Sequence, residues 1–313
     1  MFKSAMNEMV SIGKKSIGLL LFVICGFAIY NKVLVNENWA QYGVMMRAQL
    51  FSVPVYQWIV LIFLLCCNFL IESIKWKLVV EATNPLSFFK AIKSVLVGQA
   101  FAFFTPNRIG EYAGRTLFLE AGNKLIGMAQ MGWASYAQLI VTICIGAIAL
   151  ALNISLYPWS DGPWMITVKL VSPIIAIISV FVFFYRREWK GWMSFLNRVQ
   201  IENSLKWSML FFSVIRYLVF MLQYVWIAYM LRMNIHVFPL ILSVSILFLC
   251  LSILPTISIT ELVIRGQLLL MIMAPFYNDK MMIISLSSFI WGINFLIPSI
   301  IGTILTLSYR INR

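Results

Sequence analysis

The chemistry in this chain is concentrated in Phe103-Phe104-Thr105-Pro106-Asn107-Arg108-Ile109-Gly110-Glu111-Tyr112-Ala113-Gly114-Arg115. This stretch sets two arginines, a glutamate, a proline and two glycines inside an apolar region. A second stretch echoes it: Leu254-Pro255-Thr256-Ile257-Ser258-Ile259-Thr260-Glu261-Leu262-Val263-Ile264-Arg265. Aligned on the acid, Glu111 with Arg115 matches Glu261 with Arg265, each behind a proline, Pro106 or Pro255. The two stretches read as twin halves of one buried polar site. In each, acid precedes base by four residues, the better order for pairing along a helix, and pairing lowers the cost of burying both. Arg108 is left over, a forked donor suited to phosphate oxygens.

The neighbouring residues suit the same purpose. Thr105 is placed to cap the arm that follows, and Pro106 to take its first position, where a missing N–H costs nothing. A helix begun there would turn free N–H groups toward a phosphate or carboxylate. Gly110 and Gly114 let another helix or a headgroup approach the backbone closely. Ser258 and Glu261 fit a capping box, so Glu261 is either a cap or a site residue, and both Glu/Arg pairs also read as ion pairs that lock the tips. Arg216 either faces the same cavity or snorkels to an interface. The candidate binding set is therefore Thr105, Arg108, Glu111, Arg115, Arg216, Glu261 and Arg265. Pro106, Gly110, Gly114, Pro255 and Ser258 are the structural candidates. Gln99, Tyr112, Gln130, Gln138, Gln223 and Asn294 are cavity liners or helix–helix contacts. No catalytic residue, metal ligand or cofactor is expected.

Composition says what must carry these residues. The 313 residues are 62% hydrophobic and 11% charged, with a mean hydropathy of +0.91. Soluble domains carry about a quarter charged residues, so this is a polytopic membrane protein. The net charge of +13 sits in short clusters between apolar runs; that is the pattern of cytoplasmic loops and not of a nucleic-acid surface. The five cysteines lie in apolar segments without metal-ligand spacing, and His236 is the single histidine. Lys14-Lys15 ahead of an apolar run resembles a signal sequence, but no small-residue cleavage site follows, and the run reads as a first anchor.

Spans are expected at about 16–34, 57–74, 126–151, 164–185, 208–231 and 281–307. The segments around the two polar stretches, 91–104 with 105–124 and 239–254 with 258–274, are too short per arm to cross a core of about 30 Å. They read as re-entrant hairpins, against the rival reading of kinked full spans. Loop charge favours hairpins: with the N-terminus inside, the basic segments 75–93 and 186–206 both fall on the cytoplasmic side, and the Lys/Arg-free loop 152–163 falls outside. The expected fold is an all-α polytopic membrane protein in one transmembrane domain, 1–313. It is an inverted repeat of two halves, about 16–151 and 164–307, each of three spans and one re-entrant hairpin. The hairpins would then enter from opposite faces, with their tips meeting near the midplane.

Thr105-Pro106-Asn107-Arg108-Ile109-Gly110-Glu111, with Arg115 four on, resembles the T-P-G-R-x-G-E-x-x-R-like signature of the transmembrane, flippase-like region of lysylphosphatidylglycerol synthases. That region also occurs as stand-alone integral membrane proteins. The resemblance covers nearly the whole chain, although Ile257, Ser258 and Thr260 stand where the family usually shows glycines. It implies translocation of a modified anionic lipid between leaflets of the bacterial inner (cytoplasmic) membrane, with Arg108, Glu111, Arg115, Glu261 and Arg265 at the headgroup. With no aminoacyl-transferase domain after residue 307, aminoacylation is not expected. The expected function is a lipid flippase-like transporter with both termini cytoplasmic, and no ATP-binding G-x-x-x-x-G-K-[ST] motif is present. The alternatives are a membrane-embedded lipid-phosphate transferase or hydrolase, with Glu111 or Glu261 as base, and a non-transporting lipid-binding subunit. Expected partners are anionic-headgroup lipids, and a second copy of the chain or a lipid-modifying enzyme.

Overall fold

Residues 39–153, 163–185, 201–254 and 258–311 are described by a computed structural model, and among them the chain is helix and turn throughout. The helices, numbered in chain order, are α1 (Trp39–Phe51), α2 (Val55–Val80), α3 (Phe88–Phe103), α4 (Gly110–Thr116), α5 (Lys124–Asn153), α6 (Pro163–Phe184), α7 (Asn203–Met230), α8 (Val237–Ile253), α9 (Ser258–Met273), α10 (Lys280–Trp291) and α11 (Ile297–Ile311). A π-helical turn, Gly292–Leu296, joins the last two into one rod. Four rods are long and apolar enough to span a bilayer: α2, α5, α7 and α10–α11. The chain is a helical membrane protein. The expected span at 16–34 lies outside the described residues, and α6 occupies the expected 164–185.

Three expectations change. The linker expected over 35–56 contains α1, whose Gln49 side-chain amide donates to the Leu231 carbonyl. Parts of the segments read as basic loops are helix: Lys75 and Lys77 lie on the last turns of α2, and Lys206 lies on the first turn of α7, while 186–200 lies outside the described residues. Lys75 and Lys206 are buried, so these two are not loop charges in water. The third change is in the first hairpin, whose return arm α4 is seven residues long.

That hairpin folds back on itself. A Cβ on Gly110 would collide with the Phe101 carbonyl, and one on Gly114 would lie 2.7 Å from the Gly98 Cα. Contact partners that run down α3 as they run up α4 define antiparallel arms, which excludes a single kinked span. Thr105 and Pro106 make the break: Pro106 opens a 3₁₀ turn through Arg108, and Asn107 and Arg108 both take positive φ (51° and 59°). That backbone is costly for a residue with a Cβ, and Asn tolerates it better than most.

Two apolar clusters fill the bundle. One holds Trp76, Val79, Leu86, Val95, Met131, Ala137, Phe183 and Met209. The other holds Leu61, Val141, Tyr217, Tyr224, Leu247, Leu269 and Ile283. Helices α2, α5 and α7 pass from one cluster to the other, and their polar residues fall between. Asn68, Gln138, Arg216 and Asn294 each stand at the midpoint of one of the four spanning rods. The bundle therefore has apolar ends and a polar layer at mid-depth. Across that layer α3 packs along α11, where Gly302 lies against the Leu96 carbonyl, and α8 packs along α5, where Gly146 lies against Leu249 and Ser245.

The ends agree with the grouping expected from loop charge. Ala48, Gln49 and Ser52 meet Leu231, Arg232 and Met282 at one end. At the other, Asn123 donates to the Thr83 carbonyl at 2.9 Å, and Phe184 packs on Trp207 with ring centres 4.7 Å apart.

Candidate functional site

The polar layer is organised by an acid that sequence reasoning passed over. Glu72, eight residues before the end of α2, accepts from Arg115 at 2.8 Å and from Arg216 at 2.7 Å, with the Lys75 ammonium at 3.6 Å. It is buried, and so are Lys75 and Arg115, each 1% exposed. Arg115 also donates to Glu111, as the i,i+4 spacing implies, and its guanidinium stacks on Trp76. Glu111 in turn has Arg108 at 3.4 Å, and Arg108 donates to Gln99. On its other side Arg216 donates through Nε to Asn68 at 2.8 Å, and Asn68 donates to Asn294 at 3.0 Å. One connected network thus links α2, both arms of the first hairpin, α7 and the π turn. Removing one partner from such a buried network costs far more than the pairing gains, so its members hold the helices in register.

The second polar stretch, on α9, repeats the pattern in altered chemistry. Arg265 donates to Glu261 and, at 2.8 Å, to the Tyr224 hydroxyl on α7. Where Arg115 leans on a carboxylate from α2, Arg265 leans on a phenol from α7. The two polar stretches meet through Phe295 on the π turn: the Arg108 guanidinium carbon stands 4.9 Å from its ring centre, and that of Arg265 stands 5.4 Å away. Two cations from the two polar stretches therefore share one aromatic ring. A π turn gives Phe295 and Asn294 positions that a regular helix would not, and such turns recur at functional sites.

Beside that ring lies a cavity of about 620 Å³. Arg108, Arg216, Arg265 and Glu261 form its charged wall; Phe220, Phe248, Leu251 and Leu254 form its apolar wall; Gln138 and Thr142 close it on α5. Several buried polar atoms here find no partner within the described protein: Nε of Arg108, Nε of Arg265 and Oε1 of Gln138. Buried polar atoms of this kind are costly when left without a partner. Ile253, on the cavity lining, is 75% exposed, and Phe104, just before the first break, is 74% exposed.

The expected residues divide accordingly. Arg108, Arg216, Glu261 and Arg265 line the cavity; Glu111 and Arg115 stand behind it, Arg115 as a buried clasp. Arg216 does not snorkel, since it sits at the middle of α7. Thr105 Oγ1 accepts from the Gly110 N–H at 2.8 Å, but Ile109 and not Thr105 stands at the N-cap of α4. Pro106, however, opens the 3₁₀ turn and not the helix, and α4 carries Glu111 in its own first turn. That helix end is short and already faces an acid, so it is no anion receptor. Gly110 and Gly114 serve the approach of α3, joined by Gly98, and not of a headgroup. Ser258 is the first residue of α9, and Pro255 lies outside the described residues.

Glu72 was legible as an acid in an apolar run, one turn from Asn68 on the same face. Nothing marked Phe295 among 24 phenylalanines. No protein-family model, curated protein or solved structure matches this chain.

Proposed function

We propose that this protein is a lipid flippase-like transporter that passes an anionic phospholipid or lipid-linked phosphate headgroup through the polar layer while the acyl chains stay in the bilayer. The observation that carries this reading is the convergence of three guanidinium groups, Arg108, Arg216 and Arg265, on one mid-depth cavity with an apolar wall that is open at Ile253. Ionisable side chains at such depth are functional candidates by default. The apolar side chains at the rim suit lipid tails rather than a freely soluble solute.

An inverted repeat is part of the proposal. Its support is the exchange of partners across the polar layer: the first arm of each hairpin packs, at a glycine, against the last rod of the other half. Arg115 reaching to α2 and Arg265 reaching to α7 follow the same exchange. Repeats of this kind support alternating access by rocking of one half against the other. The proposed setting is the bacterial inner membrane, with both termini cytoplasmic, as the distribution of loop charge argues. Each of the three site carboxylates already accepts from an arginine, which favours binding over a role as general base. The test is reconstitution into liposomes with fluorescent anionic lipid: the parent protein moves lipid between leaflets, and Arg265→Gln reduces the rate tenfold or more. Unchanged transport in Arg265→Gln, or product formation in place of transport, would overturn the reading.

A further inference from the structure

The charge inventory of the polar layer names the class of headgroup. Among the described residues five cations, Lys75, Arg108, Arg115, Arg216 and Arg265, share three carboxylates, Glu72, Glu111 and Glu261. The excess is two positive charges. The cavity wall taken alone gives the same figure: Arg108, Arg216 and Arg265 against Glu261.

We propose that the cavity is built for a lipid carrying a terminal phosphate monoester or diphosphate, and selects it over phosphodiester lipids. This deepens the transport reading and rests on it. A dianion neutralises the excess, whereas a phosphodiester with one charge leaves a buried cation uncompensated, which is costly where water is scarce. Geometry points the same way. The three guanidiniums come from three elements, the first hairpin tip, α7 and α9. A terminal phosphate offers three free oxygens to three donors, and a diester offers two.

Lys75 isolates the charge argument, because it does not line the cavity and cannot touch the headgroup. The experiment uses the full chain in nanodiscs with equimolar phosphatidic acid and phosphatidylglycerol, the retained lipid being counted by native mass spectrometry near neutral pH. Phosphatidic acid is retained over phosphatidylglycerol by about tenfold or more. Lys75→Met narrows that ratio severalfold, and Lys75→Arg keeps it. Lowering the pH below the second ionisation of a phosphate monoester, about 6, narrows it in the unaltered protein. Equal or better retention of phosphatidylglycerol overturns the inference and leaves the transport reading standing. Retention of neither lipid overturns both. A pH-independent ratio overturns the dianion argument, and displacement of bound lipid by equimolar glycerol 3-phosphate shows a soluble phosphate to be the ligand and overturns the lipid.

Discussion

Replacing Glu72 by Gln is the sharpest perturbation available, because one carboxylate serves three cations. The contacts are 2.8 Å to Arg115, 2.7 Å to Arg216 and 3.6 Å to Lys75, with Arg115 and Lys75 buried and Arg216 half-buried. Glutamine keeps the shape and one acceptor but removes the charge. Breaking a buried pair by deleting one partner typically costs about 3–5 kcal/mol, a large part of a total stability of about 5–15 kcal/mol. The expected loss for Glu72→Gln is therefore about 3–5 kcal/mol, read as the folded fraction surviving a denaturant or temperature series in detergent. Most of that loss comes from stranded positive charge, so removing a cation should restore stability. Glu72→Gln with Arg216→Gln is expected to recover about 1–3 kcal/mol relative to Glu72→Gln alone. The reasoning fails if Glu72→Gln stays within about 1 kcal/mol of the parent, or if the second change adds its own loss instead of offsetting the first.

Glycine substitutions give a matched contrast. Gly110→Ala and Gly302→Ala drive a methyl into the carbonyls of Phe101 and Leu96 and should abolish folded protein on size-exclusion chromatography, whereas Gly132→Ala meets nothing within 4 Å and should be neutral or stabilise by about 0.5–1 kcal/mol. Asn107→Val, at φ 51°, should cost about 1–2 kcal/mol in the same unfolding assay. Phe295→Leu removes the ring shared by Arg108 and Arg265, and should weaken lipid retention severalfold while Phe295→Tyr preserves it. Asp279→Ala removes the cap that accepts from the Met281 and Met282 N–H groups at 3.0 Å and should cost about 1 kcal/mol.

Much of the architecture was legible because membrane helices announce themselves by length and hydropathy. The broken unit at Thr105-Pro106 was equally plain, since neither arm could cross and a proline stood between them. The repeat of Glu and Arg at i,i+4 was legible, but only its second copy, Glu261 and Arg265, lines the cavity; from the first stretch Arg108 does, with Glu111 and Arg115 behind it. What escaped was set by packing. Lys75 and Lys206 look like loop charges by composition, yet helix propensity carries α2 past Lys75 and starts α7 before Lys206. Glu72 was visible as an acid but not as a site residue, because an acid followed by Lys75 and Lys77 reads as the end of a span. The shortness of α4 was illegible too, since turn and helix share one composition over 105–124. Phe295 depends on a π turn that no residue preference encodes.

A density map of the full chain in lipid nanodiscs is the most direct measurement. Phosphate density is expected within about 4 Å of the Arg108, Arg216 and Arg265 guanidiniums, with its acyl chains leaving past Phe104 or Ile253. A cavity closed by protein side chains, or bound lipid phosphates found only at the bundle ends and none in the polar layer, would contradict the lipid-binding site.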